Sequence, residues 1–359
     1  MATHDADRPG RRRWFRLREP DVASSDDQSQ QDAPEIQGDR MTPNNLDLAT
    51  ETTSQPGGHA RPPQSSTSAD PALPGDDIRI ERAGPDEATA APERPEPEQF
   101  PLPRVIAIAN QKGGVGKTTT AVNLGASLAE LGHRVLVIDL DPQGNATTGL
   151  GLSHRNVEGS VYDVIMNDTP VDDCVEPTTV RNLFVVPATI DLAGAEIELV
   201  PAFSRELKLR RAIEVVRDDY DFILIDCPPS LGLLTVNGLA AADDVIVPIQ
   251  CEYYALEGLG QLLRNVSLVK SNLNPTLDVR GIVLTMYDAR TKLAEQVERE
   301  VRNHFGPKVY RTVVPRTVRI SEAPSYGQPV IVFDSTSRGA VAYRELAKEV
   351  SRGATRRSG

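Results

Sequence analysis

The most chemically specific segment of the 359-residue chain combines glycines with lysines and threonines. Residues 112–119 are Lys-Gly-Gly-Val-Gly-Lys-Thr-Thr, and an apolar run at 105–109 precedes them. A strand, a glycine-rich turn and a helix N-terminus form a phosphate site, because backbone N–H groups and the helix dipole favour an anion. In the P-loop pattern the lysine, here Lys117, reaches the terminal phosphates, and the hydroxyl of Thr118 ligates Mg²⁺. The predicted phosphate cradle comprises Gly113, Gly114, Val115, Gly116, Lys117, Thr118 and Thr119.

Three aspartates follow two further apolar runs. Asp139 and Asp141 end the run Val-Leu-Val-Ile-Asp-Leu-Asp, and Asp226 ends Phe-Ile-Leu-Ile-Asp. Side chains two residues apart leave a strand on the same side, so Asp139 and Asp141 both point toward the phosphate site. We expect Asp139 to lean on the metal region or the P-loop, and Asp141 to orient the attacking water. Asp226 is typical of a Mg²⁺-water ligand beside a P-loop.

Apolar runs alternate with helical patterns from residue 104 onward. Val- and Ile-rich runs that are apolar at successive positions predict strands covered on both faces. The fold class is therefore α/β, a mostly parallel sheet flanked by helices on both faces. Predicted strands span 104–109, 134–139, 183–187, 221–226, 244–249 and 279–285. Predicted helices span 117–131, 204–217, 231–241, 255–272, 291–304 and 338–352.

The first hundred residues differ from the rest in composition. Residues 1–100 hold 11 Arg, no Lys and 20 Asp plus Glu, and they contain 13 of the 28 prolines. Such a composition buries too little apolar surface to fold, so we predict a disordered acidic tail at 1–100. Within it, Arg-Arg-Arg-Trp-Phe-Arg-Leu-Arg at 11–18 is a basic-aromatic island that suits DNA, an anionic membrane or a protein partner, or simply a solvated charge cluster. Residues 101–352 form the predicted ATPase domain, and residues 353–359 a polar C-terminal tail.

Composition also bears on the compartment. Cys174, Cys227 and Cys251 lack metal-ligand spacing and suit unpaired thiols in a reducing cytosol. No run approaches the ~20 apolar residues of a membrane span, and the N-terminus lacks a signal-peptide core. We therefore expect a cytoplasmic protein. Its net charge of −12 gives no support for nucleic-acid binding, which would need a local basic patch.

The motifs together resemble one family. The segments 110–119, 139–145, 226–230, 248–259, 284–291 and 314–327 look like those of the ATPases with a deviant Walker A motif. Within that P-loop superfamily the match is to ParA/Soj, the partition ATPases of bacterial chromosomes and low-copy plasmids. The resemblance runs from about residue 104 to 352 and excludes the tail before it.

The resemblance implies roles for several residues in an ATP- and Mg²⁺-dependent cycle. Lys112 is the signature lysine, which crosses a homodimer interface and touches the phosphates of the other subunit's ATP. Asp141 matches the residue needed for hydrolysis, so the implied catalytic set is Lys112, Lys117 and Asp141. Adenine contacts fall at Pro315 and Thr317, where the family commonly has Asn in place of Thr317. A hydroxyl cannot present an amide to the adenine edge.

The resemblance also implies partners. Non-specific DNA contacts fall on Arg290 and Arg319, and a ParB-type centromere-binding protein stimulates slow hydrolysis. Such proteins are nucleoid-associated in the ATP state. The tail would then serve a polar scaffold or another partner.

Two other functions stay open. An orphan relative could regulate replication initiation or polar docking instead of partition. A MinD-like ATPase would bind the membrane through a basic amphipathic C-terminal helix. Here the apolar face at 340–350 is small, which favours a helix packed on the domain.

Overall fold

An eight-stranded sheet forms the centre of the folded chain. The computed structural model describes residues 99–153, 157–252 and 255–355, with the side chains of 255–257 left aside. Residues 1–98 of the predicted disordered tail, with its basic-aromatic island at 11–18, lie outside the described residues, as do residues 356–359. Phe100, at the end of that predicted tail, is described and lies in a strand. The strands are β1 (Phe100–Pro101), β2 (Arg104–Ile108), β3 (Val135–Asp139), β4 (Glu176–Pro177), β5 (Leu183–Val186), β6 (Phe222–Asp226), β7 (Asp244–Gln250), β8 (Asp278–Tyr287), β9 (Val309–Pro315) and β10 (Ala354–Thr355).

The main sheet has the order β4-β5-β3-β6-β2-β7-β8-β9, and β1 pairs with β10 in a separate two-stranded sheet. Every pairing in the main sheet is parallel except that of β4 with β5. Because the parallel strands point the same way, the loops after β2, β3, β6 and β7 emerge at one edge, which we call the carboxyl edge.

Helices cover the sheet. They are α1 (Lys117–Glu130), α2 (Asn145–Gly149), α3 (Val161–Met166), α4 (Val171–Cys174), α5 (Leu192–Glu198), α6 (Lys208–Val216), α7 (Leu233–Ala241), α8 (Ala255–Asn272), α9 (Lys292–Phe305), α10 (Val318–Glu322), α11 (Val330–Phe333) and α12 (Arg338–Ser351). Among the described residues, none of these helices is both long and apolar enough to cross a membrane.

Alternate residues of β2 enter two separate hydrophobic cores. Val105 and Ala107 belong to one core, and Ile106 and Ile108 belong to the other. All four side chains are fully buried. A strand whose successive residues are all apolar is therefore covered on both faces, as the sequence pattern predicts. The predicted α/β fold class is confirmed.

The sequence pattern did not predict β9 or the pair of short strands β1 and β10. Strand β9 mixes buried valines with exposed polar residues such as Arg311, because an edge strand has a neighbour on one side alone. Ala354–Thr355 falls in the predicted polar tail, yet it pairs with Phe100–Pro101. The amide of Phe100 donates to the carbonyl of Gly353 at 2.9 Å, so the two ends of the described chain meet.

The last helix is packed on the domain as predicted. In α12 the residues Ala340, Tyr343, Leu346, Ala347 and Val350 are buried, and they contribute to the same core as Ile106. An apolar face used inside the domain is not free to enter a bilayer. The structure therefore gives no support to α12 as a membrane anchor.

Candidate nucleotide site at the carboxyl edge

The glycine loop joins β2 to α1 at the carboxyl edge. Gly114 has a φ of 74° and Gly116 a φ of 86°, values in the left-handed region that residues with a Cβ rarely adopt. Gly116 is also the N-cap of α1, and its carbonyl accepts the amide of Thr120 at 2.9 Å. The glycines at these two positions are therefore required by the backbone. The free amides of the first helical turn at Lys117–Thr119 are left for an anion.

Two buried hydrogen bonds anchor this loop to neighbouring strands. The Thr285 hydroxyl in β8 donates to the carbonyl of Val115 at 2.7 Å. The side-chain amide of Asn110 donates to the carbonyl of Pro248 in β7 at 2.7 Å. Sequence reasoning assigned no role to Thr285 or Pro248, although both lie in segments that carry the family resemblance. The anchors prevent the loop from collapsing into the space that a phosphate would fill.

Lys117 lies at the base of the loop. Its side chain is 6% exposed, and its ammonium group donates to the carbonyl of Lys112 at 3.2 Å. Burial lowers the pKa of Lys117, and the negative charges of Asp226 and Asp141 offset part of that effect. The structure thus brings three of the predicted site residues within electrostatic reach of each other. A buried cation beside a glycine loop and the N-terminus of a helix suits a polyphosphate.

Asp139 and Asp226 occupy register-matched positions at the ends of β3 and β6, and both are fully buried. Asp139 accepts the amide and the hydroxyl of Thr147, each at 2.7 Å, and the amide of Asp141 at 3.3 Å. Burial nevertheless raises the pKa of Asp139 to about 6, against the lowering effect of these hydrogen bonds. The Asp139 carboxylate thus holds the loop after β3. Its predicted place at the metal, with Thr118 and Asp226, or against the P-loop stays a prediction.

Asp226 differs from its neighbour. Among the described residues, neither of its carboxylate oxygens has a hydrogen-bond partner of ordinary geometry. Burial and the nearby Asp139 charge raise the pKa of Asp226 well above its ordinary value, and Thr118 and Lys117 offset part of that rise. A buried carboxylate whose cost is offset only in part by the Thr118 hydroxyl and the Lys117 charge is suited to a bound cation.

A divalent cation fits this donor set. Mg²⁺ takes hard oxygen ligands, usually one or two from the protein and the others from water and phosphate. The described residues contain no cluster of three or more His, Cys, Asp or Glu side chains that would hold a metal without the nucleotide. The bare Asp226 carboxylate with the adjacent Thr118 hydroxyl is therefore the arrangement expected of a nucleotide-dependent metal site.

Asp141 belongs to the loop that follows β3. It is 7% exposed, and its carboxylate accepts the amide of Gln143 at 3.0 Å. Its charge contributes to the pKa of both Lys117 and Asp226. The loop turns at Gly144, which has a φ of 61°. Asp141 therefore lies within electrostatic reach of Lys117 and Asp226, and its role in orienting a water stays a prediction.

The predicted adenine contacts lie at the carboxyl end of β9. Pro315 is the last residue of β9 and lies opposite Tyr287 of β8. Thr317 is the N-cap of α10, and its hydroxyl accepts the amide of Ile320 at 3.3 Å. The Thr317 side chain thus has a structural role of its own. Its contact with adenine stays a prediction.

The predicted DNA-binding arginines are exposed and paired with carboxylates of the same chain. Arg290 makes a bidentate contact with Asp288, with distances of 2.8 and 2.7 Å, and this lowers the pKa of Asp288 to about 2. Arg319 lies 3.1 Å from Glu322 and 3.2 Å from Asp334. Exposed pairs of this kind are weak and are screened by salt, so DNA phosphates can compete for them. The DNA contacts themselves stay a prediction.

Comparison with known proteins shows which family the chain belongs to. A family model described as an AAA domain matches residues 103–279. The sporulation initiation inhibitor protein Soj of Bacillus subtilis (strain 168) is 62% identical over 248 residues, covering 69% of this chain and 98% of Soj. The chromosome partitioning protein ParA of Myxococcus xanthus (strain DK1622) is 54% identical over 255 residues, covering 71% of this chain and 90% of ParA.

A solved structure with nucleotide is also similar. Cobyrinic acid a,c-diamide synthase from Mycobacterium smegmatis, with bound ATP analog and magnesium, has a TM-score of 0.62 and 43% identity. The match covers 70% of this chain and 95% of the synthase chain. The resemblance drawn from the motifs is confirmed: the chain belongs to the ParA/Soj family of chromosome-partitioning ATPases.

Proposed function

We propose that this protein is a Mg²⁺-dependent ATPase that acts as a dimerising switch in chromosome or plasmid partition. The observation that carries the proposal is the bare buried carboxylate of Asp226 beside the buried ammonium of Lys117. In a family of partitioning ATPases, that pair is a site prepared for a metal-bound polyphosphate. The solved relative with an ATP analog and magnesium supports the choice of ligands.

The chain's own residues have distinct parts in the reaction. Lys117 and the amides at Gly113–Thr119 bind the phosphates, and Thr118 and Asp226 would hold the metal. A Mg²⁺ ion held there would offset the negative charge that develops on the phosphates during hydrolysis. Asp141 orients the water, and Asp139 keeps the Asp141 loop in place through Thr147. Pro315 and Thr317 would lie against the adenine.

Two subunits would share the nucleotide. Lys112 lies on the exposed side of the loop, with 38% of its side chain accessible, and so can reach a second subunit. A cation from a partner acts on the phosphates as an arginine finger does. Dimerisation would then depend on the terminal phosphate, and hydrolysis, stimulated by a ParB-type partner, would separate the subunits.

The ATP-bound dimer would bind nucleoid DNA without sequence preference. Arg290 and Arg319 would supply phosphate contacts, and the exposed Arg316 lies near enough to Asp288 to lower its pKa. Phosphate contacts carry no sequence information and weaken steeply as salt rises. The protein would accordingly be cytoplasmic and nucleoid-associated while ATP is bound.

ATP-dependent co-sedimentation with DNA, with and without a ParB-type protein, tests this function. The Arg290→Glu, Arg319→Glu variant should lose DNA binding and still dimerise with ATP. Arg181→Glu, Arg352→Glu is the matched control. It makes the same charge change on two other exposed arginines. Arg181 lies just before the first residue of β5, and Arg352 lies just after the last residue of α12. DNA affinity that is equal in the two variants would reject the patch. ATP hydrolysis and dimerisation without any DNA binding would favour an orphan regulator instead.

A further inference from the structure

An ion pair ties Lys112 to its own subunit. The Nζ atom of Lys112 lies 2.8 Å from Oε2 of Glu252, and the two side chains are 38% and 47% exposed. The other oxygen of Glu252 accepts a hydrogen bond from the side-chain amide of Gln250. Gln250 thus orients Glu252, and Glu252 binds Lys112. In the proposed function, Lys112 contacts the nucleotide of another subunit instead.

Strand order explains why these residues meet. Strands β2 and β7 pair in parallel, so the glycine loop and the segment after β7 leave the same edge side by side. The Asn110 side chain donates to the carbonyl of Pro248 at 2.7 Å and accepts the amide of Lys112 at 3.0 Å. The backbone of Lys112 is therefore fixed against β7, and its side chain reaches Glu252.

The ion pair competes with the proposed contact across the dimer. The ammonium of Lys112 cannot be fully engaged by Glu252 and by a phosphate of another subunit at once. A terminal phosphate carries more negative charge than one carboxylate and offers more acceptor oxygens. A half-exposed ion pair is weak and screened by salt, so it can be exchanged without unfolding the loop.

We propose that Glu252 is a positioning residue that holds Lys112 in the single subunit until a nucleotide phosphate of a second subunit replaces it. The inference rests on the proposed function, because it requires Lys112 to act across a dimer. Glu252 thereby sets a threshold for dimerisation. A nucleotide with its terminal phosphate displaces the carboxylate, whereas ADP leaves Lys112 on Glu252.

Dimerisation by a non-hydrolysable ATP analogue with Mg²⁺, followed by sedimentation velocity, measures this threshold. Glu252→Gln should lower the analogue concentration at half-dimerisation about two- to fivefold, the value of an exposed ion pair. Glu252→Asp keeps the charge and should stay near wild type. ADP binding by calorimetry should be unchanged in both, since Glu252 does not touch the subunit's own Lys117. An unchanged or higher half-dimerisation concentration for Glu252→Gln overturns the inference.

The Lys112→Ala background tests whether Glu252 acts through this lysine. Adding Glu252→Gln to Lys112→Ala should change neither dimerisation nor nucleotide binding. An effect there equal to that in the wild-type background overturns the inference and leaves the proposed function intact. A wild-type protein that stays monomeric with the analogue refutes the proposed dimer and this inference with it. Normal dimerisation of Lys112→Ala leaves the dimer in place but refutes the contact of Lys112 across it, and therefore this inference.

Lysine reactivity gives a second measurement that needs no dimer. In nucleotide-free protein, the acylation rate of Lys112 can be compared by mass spectrometry with that of the exposed Lys292 in the same sample. Glu252→Gln should raise the ratio of the two rates. The increase should shrink at high salt, where the ion pair is already screened. If Glu252→Gln has the same melting temperature as the wild type and also the same ratio of acylation rates, the inference is overturned.

Discussion

Asp226→Asn should stabilise the nucleotide-free protein while it removes the metal site. The wild-type carboxylate is fully buried, has no hydrogen-bond partner of ordinary geometry among the described residues, and lies beside Asp139. An amide has nearly the same shape but no charge. The substitution therefore removes charge burial and repulsion from Asp139, and it makes no cavity.

The magnitude follows from the neighbouring carboxylate. The pKa of Asp139 rises from 3.8 to about 6 even with its hydrogen bonds. At about 1.36 kcal/mol per pKa unit, that shift of about 2 units costs ~3 kcal/mol above pH 6. The pKa of Asp226 is raised in the same direction, by burial and by the Asp139 charge, so removing its charge relieves a cost of the same kind. Two effects reduce this stabilisation by about 1–2 kcal/mol. The new side-chain amide has no hydrogen-bond partner, and Lys117 loses the attraction of the Asp226 charge. The net stabilisation expected from these figures is about 1–2 kcal/mol at pH 7.5.

Urea unfolding of the nucleotide-free protein measures this difference in the free energy of unfolding. The melting temperature of the variant should be higher by roughly 2–4 °C per kcal/mol. With a Mg²⁺–ATP analogue at about a hundred times its Kd, the wild type should gain about 2.7 kcal/mol. The variant should gain much less, so the order of the two proteins reverses. A variant that is less stable than the wild type without nucleotide would contradict the reasoning.

The pH dependence has a definite sign. A carboxyl group whose pKa is raised on folding stabilises the protein at low pH, where it is protonated, and that contribution is lost as pH rises through the folded-state value. With the pKa of Asp139 at about 6 and that of Asp226 also raised, the wild type should weaken as pH rises from 5 to 8. The advantage of Asp226→Asn should widen over the same range. A gap that narrows would be evidence against a strained carboxylate.

Asp244→Asn is the matched control at the opposite end of the sheet. Asp244 is 3% exposed, and its carboxylate contacts Arg104 at 2.8 and 3.0 Å and Arg280 at 3.4 Å. The same substitution there breaks a satisfied pair and leaves the guanidinium groups without their partner. Stability should fall by about 2–4 kcal/mol. Opposite signs for one chemical change would identify Asp226 as a site kept for a ligand.

Two further substitutions test how the loops are held. Thr285→Val keeps the side-chain shape and removes the hydroxyl bonded to Val115, so urea unfolding should report about 1–2 kcal/mol less stability and calorimetry a weaker affinity for ATP. Thr147→Val removes one of the hydrogen bonds to Asp139, so stability should fall by about 1–3 kcal/mol, and its decline with rising pH should extend to a higher pH. Full wild-type behaviour of either variant would show that its hydroxyl does not hold the loop.

Local patterns in the sequence were enough for the sheet and for much of the site. The apolar runs predicted six strands of the sheet, because a strand covered on both faces is apolar at successive residues. The glycines at 114 and 116 predicted the loop, because left-handed backbone excludes other side chains. The edge strand β9 was not predicted, because its residues are partly exposed and do not form a continuous apolar run.

The roles of individual polar groups were decided by the tertiary structure. Asp139 and Asp226 look alike in sequence, since each ends an apolar strand, yet one carboxylate is filled with hydrogen bonds and the other is bare. The difference comes from Thr147, whose position depends on how the loop after β3 folds back. Nothing in the run of residues around either aspartate contains that information.

The amino-acid sequence by itself determined the parallel sheet and the glycine loop, and it predicted a metal carboxylate and a signature lysine at that sheet. Strand order decided which distant residues meet them. Thr285 reaches Val115 across 170 residues, and Glu252 reaches Lys112 across 140. Periodicity reports which face of a strand is buried, but it does not report the neighbour on either side. The anchor of the loop and the residue that holds Lys112 therefore emerged once β2, β7 and β8 lay side by side.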